Sequence, residues 1–249
     1  LTYGGFPDED EGSLSRHQAR KMENANYNGV KSKDDDDTID LIVTYKNEAG
    51  HHTANSYSSR GKGQDISNKY HTEVITARKK DMEALAQDPN IASVEPDFEV
   101  HALPHMRGYA AAGEGGRRLE ESVPYGITMV NPPIGGQQLM QGTHHIKVCV
   151  VDTGYDNEHT DLPPLDNTTG GFSPYSGETW SHDGNGHGTH CAGTIGAIGG
   201  NDNGVTSLNP DPNKFSFFIA KGLRDGGGGT GSGVLQAVEK CVDEGAKII

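Results

Sequence analysis

Two side chains in this sequence are spaced for acid–base work, Asp152 and His187. Asp152 closes the run Ile146 to Val151 and is followed by Thr153 and Gly154. A Val- and Ile-rich run of this kind reads as a buried parallel strand that releases a carboxylate at its carboxyl end, where open α/β sheets place chemistry. His187 lies within Ser181-His182-Asp183-Gly184-Asn185-Gly186-His187-Gly188-Thr189-His190-Cys191-Ala192-Gly193. The glycines around it, followed by the small residues Ala192, Gly193, Thr194 and Gly196, predict a loop entering a closely packed helix with the imidazole at its mouth. A carboxylate that holds an imidazole in one tautomer, and stabilises it once protonated, is what a hydroxyl nucleophile needs to lose its proton. A zinc cluster of His182, His187 and His190 with Asp183 is a competing reading, but the spacing matches no standard zinc pattern. In that comparison His190 reads better as a packing residue one turn into the helix.

The elements that would position this pair follow from periodicity and from turn residues. Phe215 to Leu223 reads as a second buried strand, and Gly226 to Gly229 follow it. Backbone without side chains admits another backbone closely, which suits a cleft that adds an extended peptide as a strand. Residues 234–244 read as a helix with Val234, Val238, Cys241 and Val242 on one face, ended by Gly245. Further forward, 39–45, 71–78 and 91–100 read as strands and 79–87 as a short helix, with Asp88-Pro89-Asn90 as the break after it. The stretch 53–70 is rich in Gly, Ser and Asn and reads poorly as helix.

Asp152-Thr153-Gly154 followed by His187-Gly188-Thr189-His190-Cys191-Ala192-Gly193, in that order, resembles the subtilases, the subtilisin-like serine proteases. The string from Asp183 to Gly193 is closest to the proteinase K-like branch. The resemblance implies an α/β fold, a doubly wound parallel sheet that is incomplete here, preceded by a small α+β ferredoxin-like propeptide. It implies a serine-type endopeptidase that hydrolyses peptide bonds by acyl transfer through an Asp-His-Ser triad, with Asp152 as orienting acid and His187 as general base. It also implies that Gly227, Gly228 and Gly229 wall the substrate cleft and that Leu223 and Val234 lie near its pockets. Asp161, with Glu121 and the loop residues Ile198 to Val205, is implied as a structural Ca²⁺ site built of hard oxygen ligands, in which Asn201, Asp202 and Asn203 are alternative ligands beside Ile198 and Val205. The family's nucleophilic Ser and oxyanion Asn are expected outside residues 1–249, so this stretch alone is expected to hydrolyse nothing. Ser232 reads as a helix N-cap. A pseudoprotease that binds peptides without cutting them is the alternative reading.

Along the chain, these readings divide it into a disordered or weakly ordered segment (1–37), an inhibitor-like propeptide (38–101), a processing linker (102–120) and the front of a catalytic domain (121–249). Ser122 to Ile127 resembles the start of mature subtilisins, and Leu119-Glu120 or Arg117-Arg118 are candidate cleavage points. The formal net charge of -14 over 249 residues argues against nucleic acid or an anionic membrane surface as a partner. No apolar stretch reaches the eighteen residues of a membrane span. The expected partners are polypeptide substrates and the chain's own propeptide, with the protein a monomer in the secretory pathway, a vacuole or the medium. Cys149, Cys191 and Cys241 each read as a buried free thiol, with a bridge to a cysteine elsewhere left open.

Overall fold

The computed structural model describes residues 37–103, 121–130 and 145–249. The expected weakly ordered segment up to 36 and the linker from 104 to 120 lie outside the described residues. The first module runs β1 (Thr38–Tyr45), α1 (Glu48–Tyr57), β2 (Gln64–Ser67), β3 (Thr72–Arg78), a 3-10 turn, α2 (Met82–Ala86) and β4 (Ile91–Pro96). Its four strands form an antiparallel sheet in the order β2-β3-β1-β4. Period-two alternation turns Leu41, Val43 and Tyr45 inward, where they meet Ile75 and Ala77 of β3 and Ile91 of β4. Ala54 of α1 and Leu85 of α2 complete the same core, so both helices cover one face of the sheet.

Two expectations for this module need correction. Glu48–Tyr57 is helical although 53–70 reads poorly as helix, because Asn47 caps the helix by accepting the Gly50 N–H at 3.1 Å. The polar residues after Tyr57 belong instead to a turn and to β2. The helix also needs a small residue at position 50, where a Cβ would lie 2.3 Å from the Asn90 carbonyl oxygen. The expected strand 91–100 is two strands: Asp97 and Phe98 leave the sheet, and β5 (Glu99–His101) pairs elsewhere.

The second half is built on three parallel strands, β6 (Ile146–Asp152), β7 (Gly171–Phe172) and β8 (Phe215–Lys221), in the order β6-β8-β7. Helix α4 (His187–Gly196) packs on the face made by Val148, Val150, Phe215, Phe217 and Ile219. Helix α5 (Gly231–Asp243) packs on the opposite face, against Cys149, Phe218 and Ala220. Strands buried on both faces with a helix on each side are the doubly wound arrangement the apolar runs imply. α4 sits close because its contact row is Gly188, Ala192 and Gly196, and a Cβ on Gly196 would fall 2.3 Å from the Phe215 ring. A short helix, α3 (Tyr125–Val130), precedes the sheet, and β9 (Gly228–Thr230) precedes α5.

α5 departs from its expected face and cap. Ala237 and Cys241 are wholly buried, whereas Val242 is 37% exposed. Val234, Val238 and Val242 instead line a gap of about 640 Å³ facing Ile42, Phe98 and Val100 of the front module. Thr230, not Ser232, caps the helix, accepting the Gly233 N–H at 3.1 Å.

Cys149 and Cys241 form a disulfide with Cα atoms 5.7 Å apart, which overturns the reading of both as free thiols. α5 crosses the outer face of β6 and brings together residues 92 positions apart in sequence, a pairing that local pattern does not encode. Cys191 is the free thiol among the described residues. Removing the bridge with paired Cys149→Ala and Cys241→Ala changes should destabilise the chain by about 2–4 kcal/mol. Denaturant unfolding measures this, and alkylation of the unfolded, unreduced chain should label one thiol, rising to three after reduction.

Candidate active site

The carboxyl end of β6 presents Asp152, only 8% exposed, to the mouth of α4. Nδ1 of His187 lies 2.8 Å from each Asp152 carboxylate oxygen. The Thr153 N–H donates to the same carboxylate at 2.7 Å. The imidazole is thereby oriented through Nδ1, whose N–H donates to the carboxylate. The side chain of His187 is 24% exposed, half-buried at the surface where a substrate could reach it.

Thr153 and Asp183 hold the two halves of this contact together. The Thr153 hydroxyl accepts the Gly188 N–H at 2.9 Å and donates to Asp183 at 2.8 Å. Asp183 also accepts from the Gly186 and Thr189 N–H groups, both at 2.8 Å, and from the Thr189 hydroxyl at 2.6 Å. These donors belong to the loop and first turn that carry His187, where helix N–H groups have no partner within the helix. Burial pushes the Asp183 carboxyl up, but the hydrogen bonds from Thr189, Gly186 and Thr153 outweigh it and hold the group below the usual carboxylate range. Gly186 turns the chain into α4 with φ of +89°, a conformation that favours glycine.

Behind the pair stands Lys221, wholly buried and the register partner of Asp152 across β6 and β8. Its ammonium donates to the backbone oxygens of Thr153 and His182, the latter at 3.2 Å, and to Asp225 at 2.6 Å. Glu178 lies 3.7 Å away, so the buried cation has two carboxylates near it. Lys221 therefore ties the Asp152 turn to the loop that leads to His187. The sequence reading passed over Thr153, Lys221 and Asp225, and saw Asp183 only as a zinc candidate. An aspartate just before a glycine-flanked helix start is a capping signal that could have found Asp183. A lysine ending an otherwise apolar strand is a signal for Lys221.

The zinc reading fails on geometry. His182 is exposed and faces Asp225 at 3.7 Å, and His190 is exposed on the first turn of α4. Among the described residues, the metal-capable group at this site is Asp152, His187 and Cys191, without His182 or His190. Cys191 Sγ lies 3.7 Å from His187 Nδ1, but burial and the nearby Asp152 push its thiol up to about 11, which leaves it protonated at neutral pH.

Strand β9 pairs antiparallel with β5 of the front module in the register Glu99 with Thr230, Val100 with Gly229 and His101 with Gly228. The Ala102 N–H extends the ladder to the Gly227 carbonyl at 2.7 Å. The expected cleft residues Gly227, Gly228 and Gly229 thus receive an extended strand of the chain itself. Leu223 donates its N–H to the Asp152 carbonyl at 3.1 Å, and Val234 shares the apolar gap with Val100. Tyr175 is a further residue of this wall, donating to the Gly222 carbonyl at 2.7 Å under the Arg224 guanidinium. Asp97 accepts the Ser232 N–H at 2.9 Å and its hydroxyl at 2.6 Å, so the front module places an anion at the N-terminus of α5.

The expected calcium ligands gather on one loop. Asp161 is 3% exposed and accepts from Asn201 Nδ2 and the Val205 N–H, both at 2.9 Å. Glu121 accepts the Gly200 N–H at 2.7 Å and the Thr206 hydroxyl. The Ile198 N–H bonds the Asp161 carbonyl at 2.9 Å, while the Asn203 amide turns to Thr160 at 3.1 Å. Both carboxylates are thus engaged here by N–H and O–H donors of residues 200–206.

Asp183→Asn should lower stability by about 1–3 kcal/mol at neutral pH, since the amide replaces an acceptor oxygen by a donor. Because the folded carboxyl titrates below its ordinary value, its stabilisation is present above that value and is lost as pH falls through the folded one. Urea unfolding of both proteins should therefore give curves that converge in acid.

The subtilase family matches over residues 143–249. Subtilisin DY of Bacillus licheniformis is 38% identical over 129 residues, which cover 52% of this chain and 44% of that protein. Subtilisin amylosacchariticus of Bacillus subtilis subsp. amylosacchariticus is 33% identical over 190 residues, 76% of this chain and 43% of the relative. The chain therefore spans less than half the length of these relatives. A crystal structure of the epidermin leader peptide processing serine protease of Staphylococcus aureus superposes with a TM-score of 0.52 at 19% identity, covering 85% of this chain and 49% of that one, which is a likeness of fold. Residues 143–249, which bring the DTG and HGTHCAG segments side by side at the end of a parallel strand, are the part of the chain that matches the subtilase family.

Proposed function

We propose that this chain is part of a serine-type endopeptidase precursor in which Asp152 and His187 are two members of the triad. The observation that carries the reading is Nδ1 of His187 held 2.8 Å from both oxygens of Asp152. In this reading a serine from outside residues 1–249 attacks the peptide carbonyl, and His187 takes its proton through Nε2. The same proton passes to the leaving amine, and a second round with water releases the acid. Asp152 stabilises the imidazolium without taking the proton itself. Ser232 is no substitute nucleophile, since its hydroxyl is engaged by Asp97 and Thr230. In the same reading the chain lies near the proteinase K-like branch, which the string around Cys191 supports.

Residues 38–101 act as an intramolecular inhibitor and folding template in this proposal. Support comes from β5, laid along Gly228–Thr230 as an added strand, and from Asp97 at the start of α5. The gap of about 640 Å³ left between the front sheet and α5 is far from the close packing of a fused core and suits a module that later departs. Asp161, Glu121 and Asn201, with carbonyls of Ile198, Asn203 and Val205, would hold Ca²⁺, which supplies cross-linking charge to this loop.

In a protein that extends residues 1–249 through the remaining family segment, His187→Ala should cut peptide hydrolysis on the order of 10⁴-fold or more. Labelling by a fluorophosphonate should fall with it, and residues 1–249 alone should cleave no casein. Serine-reagent-resistant hydrolysis, or hydrolysis indifferent to His187→Ala, would sink the proposal. EGTA should lower the melting temperature of the same protein, and Asp161→Asn should remove that sensitivity; an identical melt with and without EGTA argues against the calcium site.

A further inference from the structure

β2 and β3 set two carboxylates directly across from one another, since Asp65 and Glu73 are register partners. Like charges at opposed positions destabilise an antiparallel pair. Glu73 also lies on the inward row of β3 with Ile75 and Ala77 and is wholly buried. Asn55 Nδ2 approaches its two oxygens at 3.3 and 3.2 Å. Among the described residues, its ion-pair contact is Nε2 of His51 at 3.7 Å. Burial pushes the Glu73 carboxyl up, and Asp65 adds to that, against His51, Asn55 and Lys62.

His51 shows the complementary deficit. Its Nε2 is buried without a hydrogen-bond partner among the described residues. The 3.7 Å to Glu73 exceeds a hydrogen bond. It is close to the roughly 3.4 Å that separates two ligands each about 2.1 Å from a tetrahedral ion. One ligand atom from each of His51, Asp65 and Glu73 lies within 4.8 Å of the others. The second ring nitrogen, Nδ1, faces Glu48 at 3.6 Å, the carboxylate partner that a metal-bound imidazole commonly has. Tyr45 stacks on the ring at 5.0 Å and limits its rotation. Gly63 closes the site with backbone alone, since a Cβ there would fall 2.3 Å from Glu73 Oε2. Asp65 is exposed, which gives an ion a path in and a water a fourth position.

We propose that His51, Asp65 and Glu73 bind a divalent transition cation, Zn²⁺ foremost, that clips α1 to β2 and β3. One imidazole and two carboxylates suit zinc better than calcium or magnesium, which take oxygen ligands. The ion removes the opposed-charge repulsion, fills the unpaired valence of His51 and neutralises the buried acid in one step. The site is independent of the roles given to Asp152 and His187.

The test uses residues 1–249 with His187→Ala and Cys191→Ser, so that the second metal-capable group cannot compete. Zn²⁺ titrated by calorimetry should bind at one per chain and raise the melting temperature, and Co²⁺ should give visible bands of a tetrahedral site. His51→Ala should abolish this binding. Glu48→Gln, an exposed change that does not endanger folding, should weaken it about ten-fold, and Asp65→Asn should weaken it more. His52→Ala should leave it unaltered. Absence of saturable Zn²⁺ uptake, or uptake unchanged by His51→Ala and Asp65→Asn, overturns the proposal. Stabilisation of the module by acid without any response to Zn²⁺ also overturns it, since a proton would then be the occupant.

Discussion

The contact between Asp152 and Nδ1 of His187 joins a strand end to a helix start, and neither element could supply it alone. A carboxylate and an imidazole from separate elements stay within 2.8 Å only if the two backbones are fixed against each other. Thr153 does this by bonding both the helix N–H of Gly188 and the carboxylate of Asp183. Lys221 does it from beneath, drawing the carbonyls of Thr153 and His182 onto one ammonium. The site is thus a polar frame with every buried charge matched by several partners, the condition under which such groups rigidify a structure rather than weaken it.

Absent side chains matter as much as present ones. Gly188 and Gly196 let α4 approach the sheet at distances where a Cβ would collide with the Gly154 backbone or with Phe215, and Gly154 in turn admits the His182 carbonyl. Gly228 and Gly229 leave a strand edge bare, and β5 takes it. An exposed edge invites pairing with whatever extended peptide arrives. The chain meets that invitation with its own residues 99–102.

Much of this was legible in the sequence because the signals are local. Runs of β-branched and aromatic residues marked β1, β6 and β8, and the glycine-bracketed His187 marked the mouth of α4. The illegible parts depend on residues distant in the chain. Cys149 and Cys241 look like buried thiols one at a time, and only the crossing of α5 over β6 pairs them. Val242 looks like a core residue by helical period, yet the face it joins is covered by the front module rather than by its own sheet. α1 was hidden for another reason, since its weak apolar content is offset by the Asn47 cap and by the close approach that Gly50 permits. The role of Lys221 was hidden because its partners, the carbonyls of Thr153 and His182 and the carboxylate of Asp225, come together only in the fold, and that of Asp183 because Gly186 and Thr189 reach it through backbone N–H groups.

The bridge between β6 and α5 makes completion of the fold an oxidation as well as a packing event. Two thiols must surrender two electrons to an external acceptor to form the bridge, whose residues are 3% and 0% exposed in the fold. Once sealed, they are shielded from small reductants. A cell interior poised by glutathione would leave them reduced, whereas an oxidising lumen or the medium would keep the cross-link. Formation of this layer is thereby tied to the redox state of the place where the chain folds.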